Sequence, residues 1–244
     1  MGYVIGIFSA KGGVGKSILA TNLAVAFGVG HHRRTAVIDL NPGLGTTDLL
    51  LDLEPERSWS DLVSVINELS SQHLKLAITE YRPGVDLLAC PPVLTWKQAL
   101  TKKNVSSLLE VLLEEYDLIV LDTSPGASPI NEAAFSLADI RLVVLTPDAP
   151  ALRATARYLE AVPEKEKITG LVINQQTAGA AVTPDEIKDH LGERLFAVLS
   201  MDPGGVWANI SYGEPCVLRK TSKLGKSIRQ LSARLLKMTD QRTT

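Results

Sequence analysis

The 244-residue sequence carries only two cysteines, Cys90 and Cys216, far apart and in no C-x-x-C arrangement. That excludes a disulfide framework and points to a reducing compartment. No apolar run approaches the roughly 18 residues of a membrane-spanning helix. The stretch from Gly2 to Ala10 is too short an apolar run for a signal peptide and leads straight into a glycine-rich turn, so it is expected to belong to the fold. Charge of one sign is also missing. With a net charge of −2 there is no global case for nucleic acid or a membrane surface, so any such contact must come from a local patch. Internal repeats, low-complexity tracts and linkers are absent, and the expectation is one cytoplasmic domain spanning residues 1–244.

What the sequence does contain is an ordinary globular composition, 45% apolar and 21% charged, enough for a sizeable core. Short β-branched runs alternate with segments of helical period. The strand candidates are Tyr3–Ser9, Thr35–Leu40, Val85–Ala89, Asp117–Asp122, Arg141–Thr146, Ile168–Asn174 and Leu195–Leu199. Their near-continuous Val, Ile and Leu suit parallel strands buried on both faces. Helices are expected at Ser17–Phe27, Trp59–Leu69, Val105–Glu114, Ala149–Val162, Pro184–Leu191 and Ser222–Met238. The alternation predicts an α/β fold, a doubly wound, mostly parallel sheet of about seven strands with helices on both faces. Ligands of such sheets sit at the carboxyl ends of the strands. The chemistry-bearing segments fall there: Lys11–Ser17, Asp39–Asn41 and Asp122–Gly126.

The first of these reads Lys11-Gly12-Gly13-Val14-Gly15-Lys16-Ser17. Small residues directly after a strand leave backbone N–H groups free to converge on an anion, and the following helix adds its positive dipole end. Lys16 would reach the β- and γ-phosphates of a nucleotide, and the Ser17 hydroxyl would ligate Mg²⁺. The strict G-x-x-x-x-G-K-[ST] pattern is broken only at its first position, which is Ala10. Asp122, at the end of an apolar strand, would be costly to bury without a partner, and reads either as a residue acting at Mg²⁺ or as a structural carboxylate capping the next turn. Asp39 ends another buried strand facing the same place. It reads either as a Mg²⁺ residue or as the hydrogen-bonding anchor of the turn Asn41-Pro42-Gly43.

The extra lysine, Lys11, makes this turn resemble the deviant phosphate loop of the ParA/MinD superfamily. Val37-Ile38-Asp39-Leu40-Asn41-Pro42-Gly43 is similar to that family's switch I, and Tyr116 through Gly126 to its Walker B and switch II region. Leu145-Thr146-Pro147, Leu171-Val172-Ile173-Asn174 and Gly213-Glu214-Pro215 match later segments in order. The resemblance implies a P-loop ATPase with ATP and Mg²⁺ as cofactors, the nucleotide being held by Gly12, Gly13, Val14, Gly15, Lys16, Ser17 and Ile18. Metal ligation falls to Ser17, Asp39 and Asp122. It further implies that Asn174 contacts adenine, that Asp202 and Pro203 form the other wall of the base pocket, and that Lys11 crosses a homodimer interface to touch the partner's ATP. Lys11, Lys16, Asp39 and Asn41 are then the catalytic set. Brisk family members carry Asp-x-Asp where this chain has Asp39-Leu40-Asn41. Asn can hydrogen-bond a water but cannot accept its proton, so slow hydrolysis is expected.

The segment after switch I, with the missing second Asp, is most similar to the CpaE/TadZ branch, which would make the partner a pilus or polar protein complex. MinD-like division-site proteins, flagellar-number regulators, ParA-like partition ATPases and an ATP-binding scaffold without turnover are the alternatives. In the C-terminal helix, Leu224, Ile228, Leu231, Leu235 and Met238 share one stripe, with Lys223, Lys226, Arg229, Arg234 and Lys237 on the other side. Three readings stand: the stripe docks on the domain, or the helix meets an anionic membrane at the inner face of the cell membrane, or it binds DNA nonspecifically. His31-His32-Arg33-Arg34 reads as a solvated loop, a metal pair or a phosphate contact. A metal-cluster carrier lacks its cysteine pair here, and a tyrosine kinase would have a Tyr-rich tail where this chain has Gln241-Arg242-Thr243-Thr244.

Overall fold

The computed structural model describes residues 2–93, 100–162, 169–192 and 194–242. In chain order the elements begin with β1 (Tyr3–Phe8), α1 (Lys16–Val25), β2 (Thr35–Leu40), α2 (Thr47–Leu50), α3 (Trp59–Val63) and α4 (Ser71–Ala77). They continue with β3 (Thr79–Arg82), β4 (Val85–Leu88), α5 (Lys102–Glu115), β5 (Leu118–Thr123), α6 (Pro129–Leu137) and β6 (Ile140–Leu145). The last are α7 (Ala149–Ala161), β7 (Gly170–Gln176), α8 (Pro184–Leu191), β8 (Leu195–Ser200), α9 (Pro203–Tyr212) and α10 (Lys223–Arg242).

The eight strands form one sheet in the order β3-β4-β2-β5-β1-β6-β7-β8. All neighbours are parallel except the β3–β4 pair. The central strands β2, β5 and β6 are buried along their whole length, which is why they read as continuous apolar runs. Two cores follow from the two faces. Phe8, Ile38, Leu121 and Val143 pack with Trp59, Leu108, Leu112 and Phe135 on one side. Ile5, Ile7, Val37 and Val120 pack with Leu19, Leu23, Ile228 and Leu235 on the other.

The expected α/β architecture is therefore present, with one strand more than the seven expected. The addition is β3, whose Thr-Glu-Tyr-Arg alternates between half-buried and exposed and pairs antiparallel with β4 across Pro83-Gly84. Its polarity hides it from a search for apolar runs, because it lies at the sheet edge. The strand expected from Ile168 begins at Gly170, and Ile168 itself lies outside the described residues, as do Thr243 and Thr244. The C-terminal stripe docks on the protein. Leu224, Ile228, Leu231 and Leu235 are buried, and Met238 packs at the edge of that core. On the basic side Arg229 donates to the Val217 carbonyl and Arg234 to the Phe196 carbonyl, leaving Lys223, Lys226 and Lys237 exposed. No helix among the described residues is long and apolar enough to cross a membrane.

Candidate nucleotide site

Register alone brings the two key carboxylates together. β2 and β5 are aligned so that Asp39 lies opposite Asp122, while on its other side Asp122 pairs with Ile7 at the end of β1. The loop that leaves β1 carries Lys16, which is only 7% exposed and donates from Nζ to Ser9 Oγ at 2.8 Å. Ser9 Oγ in turn donates to the Lys11 carbonyl, so the loop is bridged from end to end through one hydroxyl. Burial lowers the Lys16 pKa, opposed by the charge of Asp122.

Gly15 is where the loop turns into α1. It sits in the left-handed region at φ 88°, and a Cβ there would come 2.4 Å from Asn174 Nδ2. Asn174, buried at the end of β7, donates to the Val14 carbonyl at 2.8 Å. Here the residue expected at the base stands as a strut beneath the loop. Gly12 and Gly13 are exposed at its tip, and Ser17 and Ile18 are half-buried in the first turn of α1.

Asp39 and Asp122 differ in what their oxygens do. Asp39 Oδ1 accepts from the Asn41 backbone N–H at 3.0 Å and from Asn41 Nδ2 at 2.8 Å. Its Oδ2 accepts from the N–H groups of Thr46 and Thr47 and, at 2.7 Å, from Thr47 Oγ1. Both Asp39 oxygens therefore hold the loop between β2 and α2 in shape. Asp122 Oδ2 accepts from Asn41 Nδ2 at 3.0 Å, but its Oδ1 is buried with no hydrogen-bond partner. Burial, reinforced by the charge of Asp39, raises the Asp122 pKa, opposed by the Ser17 hydroxyl, Lys16 and Asn41. A buried, orphaned carboxylate oxygen beside Ser17 and Lys16 fits a hard divalent cation such as Mg²⁺. The open tip of the loop and its buried lysine fit the phosphates the cation would accompany.

Several contributors escaped the sequence reading. Asn131, buried in the first turn of α6, donates from Nδ2 to the carbonyls of Ser124 and Gly126, and Gly126 N–H donates to the Ser9 carbonyl. These bonds lock the loop after β5 against the phosphate loop. Trp59 Nε1 donates to the Asp39 carbonyl at 2.8 Å. Asp148, the N-cap of α7, stands 3.9 Å from Lys11 Nζ. The N-cap signals Ser128-Pro129 and Asp148 were visible in the sequence, but the tertiary meetings were not. Asp202 and Pro203 lie at the start of α9. Asp202 Oδ1 caps that helix at the Gly205 N–H, and Oδ2 accepts from Ser222 Oγ, so its carboxylate ties α9 to α10.

The chain is 29% identical over 245 residues to the septum site-determining protein MinD of Bacillus subtilis, covering 97% of this chain and 90% of that protein. A family model described as an AAA domain matches residues 2–174. The chain belongs to that family, within the ParA/MinD superfamily of P-loop ATPases. The fold agrees. A ParA family ATPase from Chlorobium tepidum TLS superposes with a TM-score of 0.86 at 22% identity, covering 96% of this chain and 98% of that one. The septum site-determining protein MinD of Pyrococcus horikoshii OT3, solved in complex with Mg-ADP, superposes with a TM-score of 0.81 at 23% identity, covering 98% of both. In this ParA/MinD chain the phosphate loop, Asp39 and Asp122 stand at the carboxyl ends of β1, β2 and β5, where ligands of open α/β sheets bind.

Proposed function

We propose that the protein is a slow ATPase switch that dimerises around Mg-ATP and, in that state, positions a partner protein complex. The orphaned Asp122 Oδ1 carries the reading, because it gives the site a reason to take up a cation and with it the nucleotide's phosphates. Lys16 would pair with the phosphates and Ser17 would ligate the metal. Mg²⁺ supplies charge neutralisation on the β- and γ-oxygens when bound. Lys11, exposed at the mouth of the loop, is the residue available to a second subunit. A cation placed across the interface favours the dimer only while the γ-phosphate is there, which is how a nucleotide biases a two-state assembly.

Slow turnover rests on Asn41. Its amide spans the two carboxylates as a hydrogen-bond donor, the reverse of a general base. Full-length likeness to septum-site MinD supports a MinD-like positioning role. Asn41 in place of the second Asp supports the CpaE/TadZ-like, pilus-associated alternative. Partners recovered from cells on an ATP-locked dimer separate the two. The core reading is tested by sedimentation with Mg-ATP and Mg-ADP alongside phosphate release. A dimer with ATP, a monomer with ADP and slow release are expected; a monomer in both nucleotides would overturn the switch.

A further inference from the structure

The segment from His31 to Arg34 is absorbed by nothing in the nucleotide site. The last turn of α1 widens into a π-helix at Ala26–Gly30, a local irregularity that delivers His31 toward α10, where its Nε2 lies 3.1 Å from Ser232 Oγ. Among the described residues no group of three or more His, Cys, Asp or Glu side chains, at the histidine pair or elsewhere, is arranged to hold a metal ion.

Beside His31 is a surface cavity of about 460 Å³, between the end of α1, the turn at Cys216–Leu218 and α10. Its apolar wall includes Val25, Val29 and Val217, and its polar lining is His31, Lys220 and Arg229, with no Asp or Glu. In a protein of net charge −2, two cations with no lining carboxylate beside an apolar wall are an unbalanced arrangement. Arg229 spends one N–H on the Val217 carbonyl, which fixes its guanidinium and leaves further donors for a ligand. Lys220 is exposed and makes no ion pair among the described residues. Burial, with Arg33 and His32 alongside, holds His31 below the usual imidazole range, so at neutral pH it offers a hydrogen-bonding ring and the charges are those of Lys220 and Arg229.

We propose that this cavity binds a small anionic amphiphile, its oxyanion held by Lys220 and Arg229 and its apolar stem lying on the wall of Val25, Val29 and Val217. The volume falls in the range of small-molecule sites, which combine apolar walls with a few placed polar groups. A carboxylate or phosphate ester supplies acceptors to the guanidinium, and the stem removes apolar wall from water. The ligand comes either free in solution or as the headgroup and first methylenes of an acidic lipid.

The test is calorimetric titration of the full chain with octyl phosphate, against inorganic phosphate and octanol as head and stem alone. Octyl phosphate is expected to bind at least about tenfold tighter than either. Lys220→Glu, a change at an exposed and unpaired side chain, should weaken octyl phosphate by about tenfold or more and leave ATP binding unchanged. Equal binding of octanol and octyl phosphate, or a Lys220→Glu protein that binds like wild type, overturns the proposal. Co-sedimentation with phosphatidylglycerol vesicles that is lost in Lys220→Glu assigns the anion to a lipid. Octyl phosphate binding without such co-sedimentation assigns it to a free amphiphile.

Discussion

Asn41 bridges Asp39 and Asp122, donating from one amide nitrogen to Asp39 Oδ1 at 2.8 Å and to Asp122 Oδ2 at 3.0 Å. The amide separates two carboxylates that strand register would otherwise leave facing each other. Asn41→Asp replaces that donor with a third negative charge. Without Mg²⁺ the variant should lose about 2 kcal/mol of stability or more, since both buried carboxylates lose the amide donor and gain a repulsive neighbour, Asp39 Oδ1 keeping only the backbone N–H of residue 41. Saturating Mg²⁺ should recover part of the loss, and steady-state phosphate release should rise because a carboxylate can accept the attacking water's proton. Thermal melts with and without Mg²⁺, beside a phosphate-release assay, check both halves. Fast wild-type turnover that Asn41→Asp does not raise would refute the assigned role.

Lys11 makes only a loose contact, with Nζ 3.9 Å from Asp148 Oδ1 and both side chains well exposed. Such a pair adds little to stability, so Lys11→Ala should stay within about 0.5 kcal/mol of wild type. Its ATP affinity should also hold, because Lys16 and the loop backbone are untouched. ATP-dependent dimerisation should be lost. Sedimentation of the variant with Mg-ATP reads this directly, and an intact dimer would show that Lys11 does not act across the interface.

The placement of the candidate site was legible in the sequence because its segments are local. A glycine-rich turn, a lysine and a hydroxyl residue directly follow a strand, and two acids end apolar runs, so their meeting follows once the strands are known to be parallel neighbours. The supports were not legible, because each joins distant segments. Asn131 and Ser9 meet through Gly126, and Asn174 reaches the Val14 carbonyl from β7. Strand β3 was missed although Pro83-Gly84 announces its turn, and α6 and α9 were missed although Ser128-Pro129 and Asp202-Pro203 are N-cap and first-turn signals. Apolar periodicity finds elements with a strong stripe. It passes over α9, whose Pro-Gly-Gly-Val-Trp-Ala start shows none.

Trp59 anchors the loop after β2 from below. It is 1% exposed and its Nε1 donates to the Asp39 carbonyl at 2.8 Å. Trp59→Phe keeps most of the buried ring and removes the donor, leaving a buried carbonyl unsatisfied. The expected loss is about 1–3 kcal/mol. Glycine 45 is equally constrained on the other side, since a Cβ on Gly45 would fall 2.2 Å from Cys90 Sγ and 2.3 Å from Asp39 Oδ2. Gly45→Ala should therefore displace Asp39 and weaken ATP binding more than Trp59→Phe does. Denaturant midpoints and nucleotide titrations of the two variants distinguish lost stability from a distorted site.

Asp86 gives a pH test remote from the nucleotide. Tyr116 Oη donates to Asp86 Oδ2 at 2.7 Å, yet the Asp86 pKa is raised, by burial first and then by the charge of Glu80, with Tyr116 and Arg34 opposing. A carboxyl whose pKa is higher folded than unfolded binds more protons in the native state between those two values. Its contribution to stability therefore falls as pH rises through that window and stays reduced above it. Asp86→Asn keeps an acceptor for Tyr116 Oη and removes the desolvated charge. It should be at least as stable as wild type at pH 7, with the advantage shrinking as the solution is acidified below the ordinary aspartate range. Tyr116→Phe removes the donor and leaves the carboxylate worse off, so it should cost about 1 kcal/mol or more at pH 7. Melting both variants between pH 3 and pH 8, chosen to bracket the carboxylate range, checks the sign. An Asp86→Asn protein clearly less stable at pH 7 than at pH 3, relative to wild type, would mean that the ionised carboxylate is a net stabilising group.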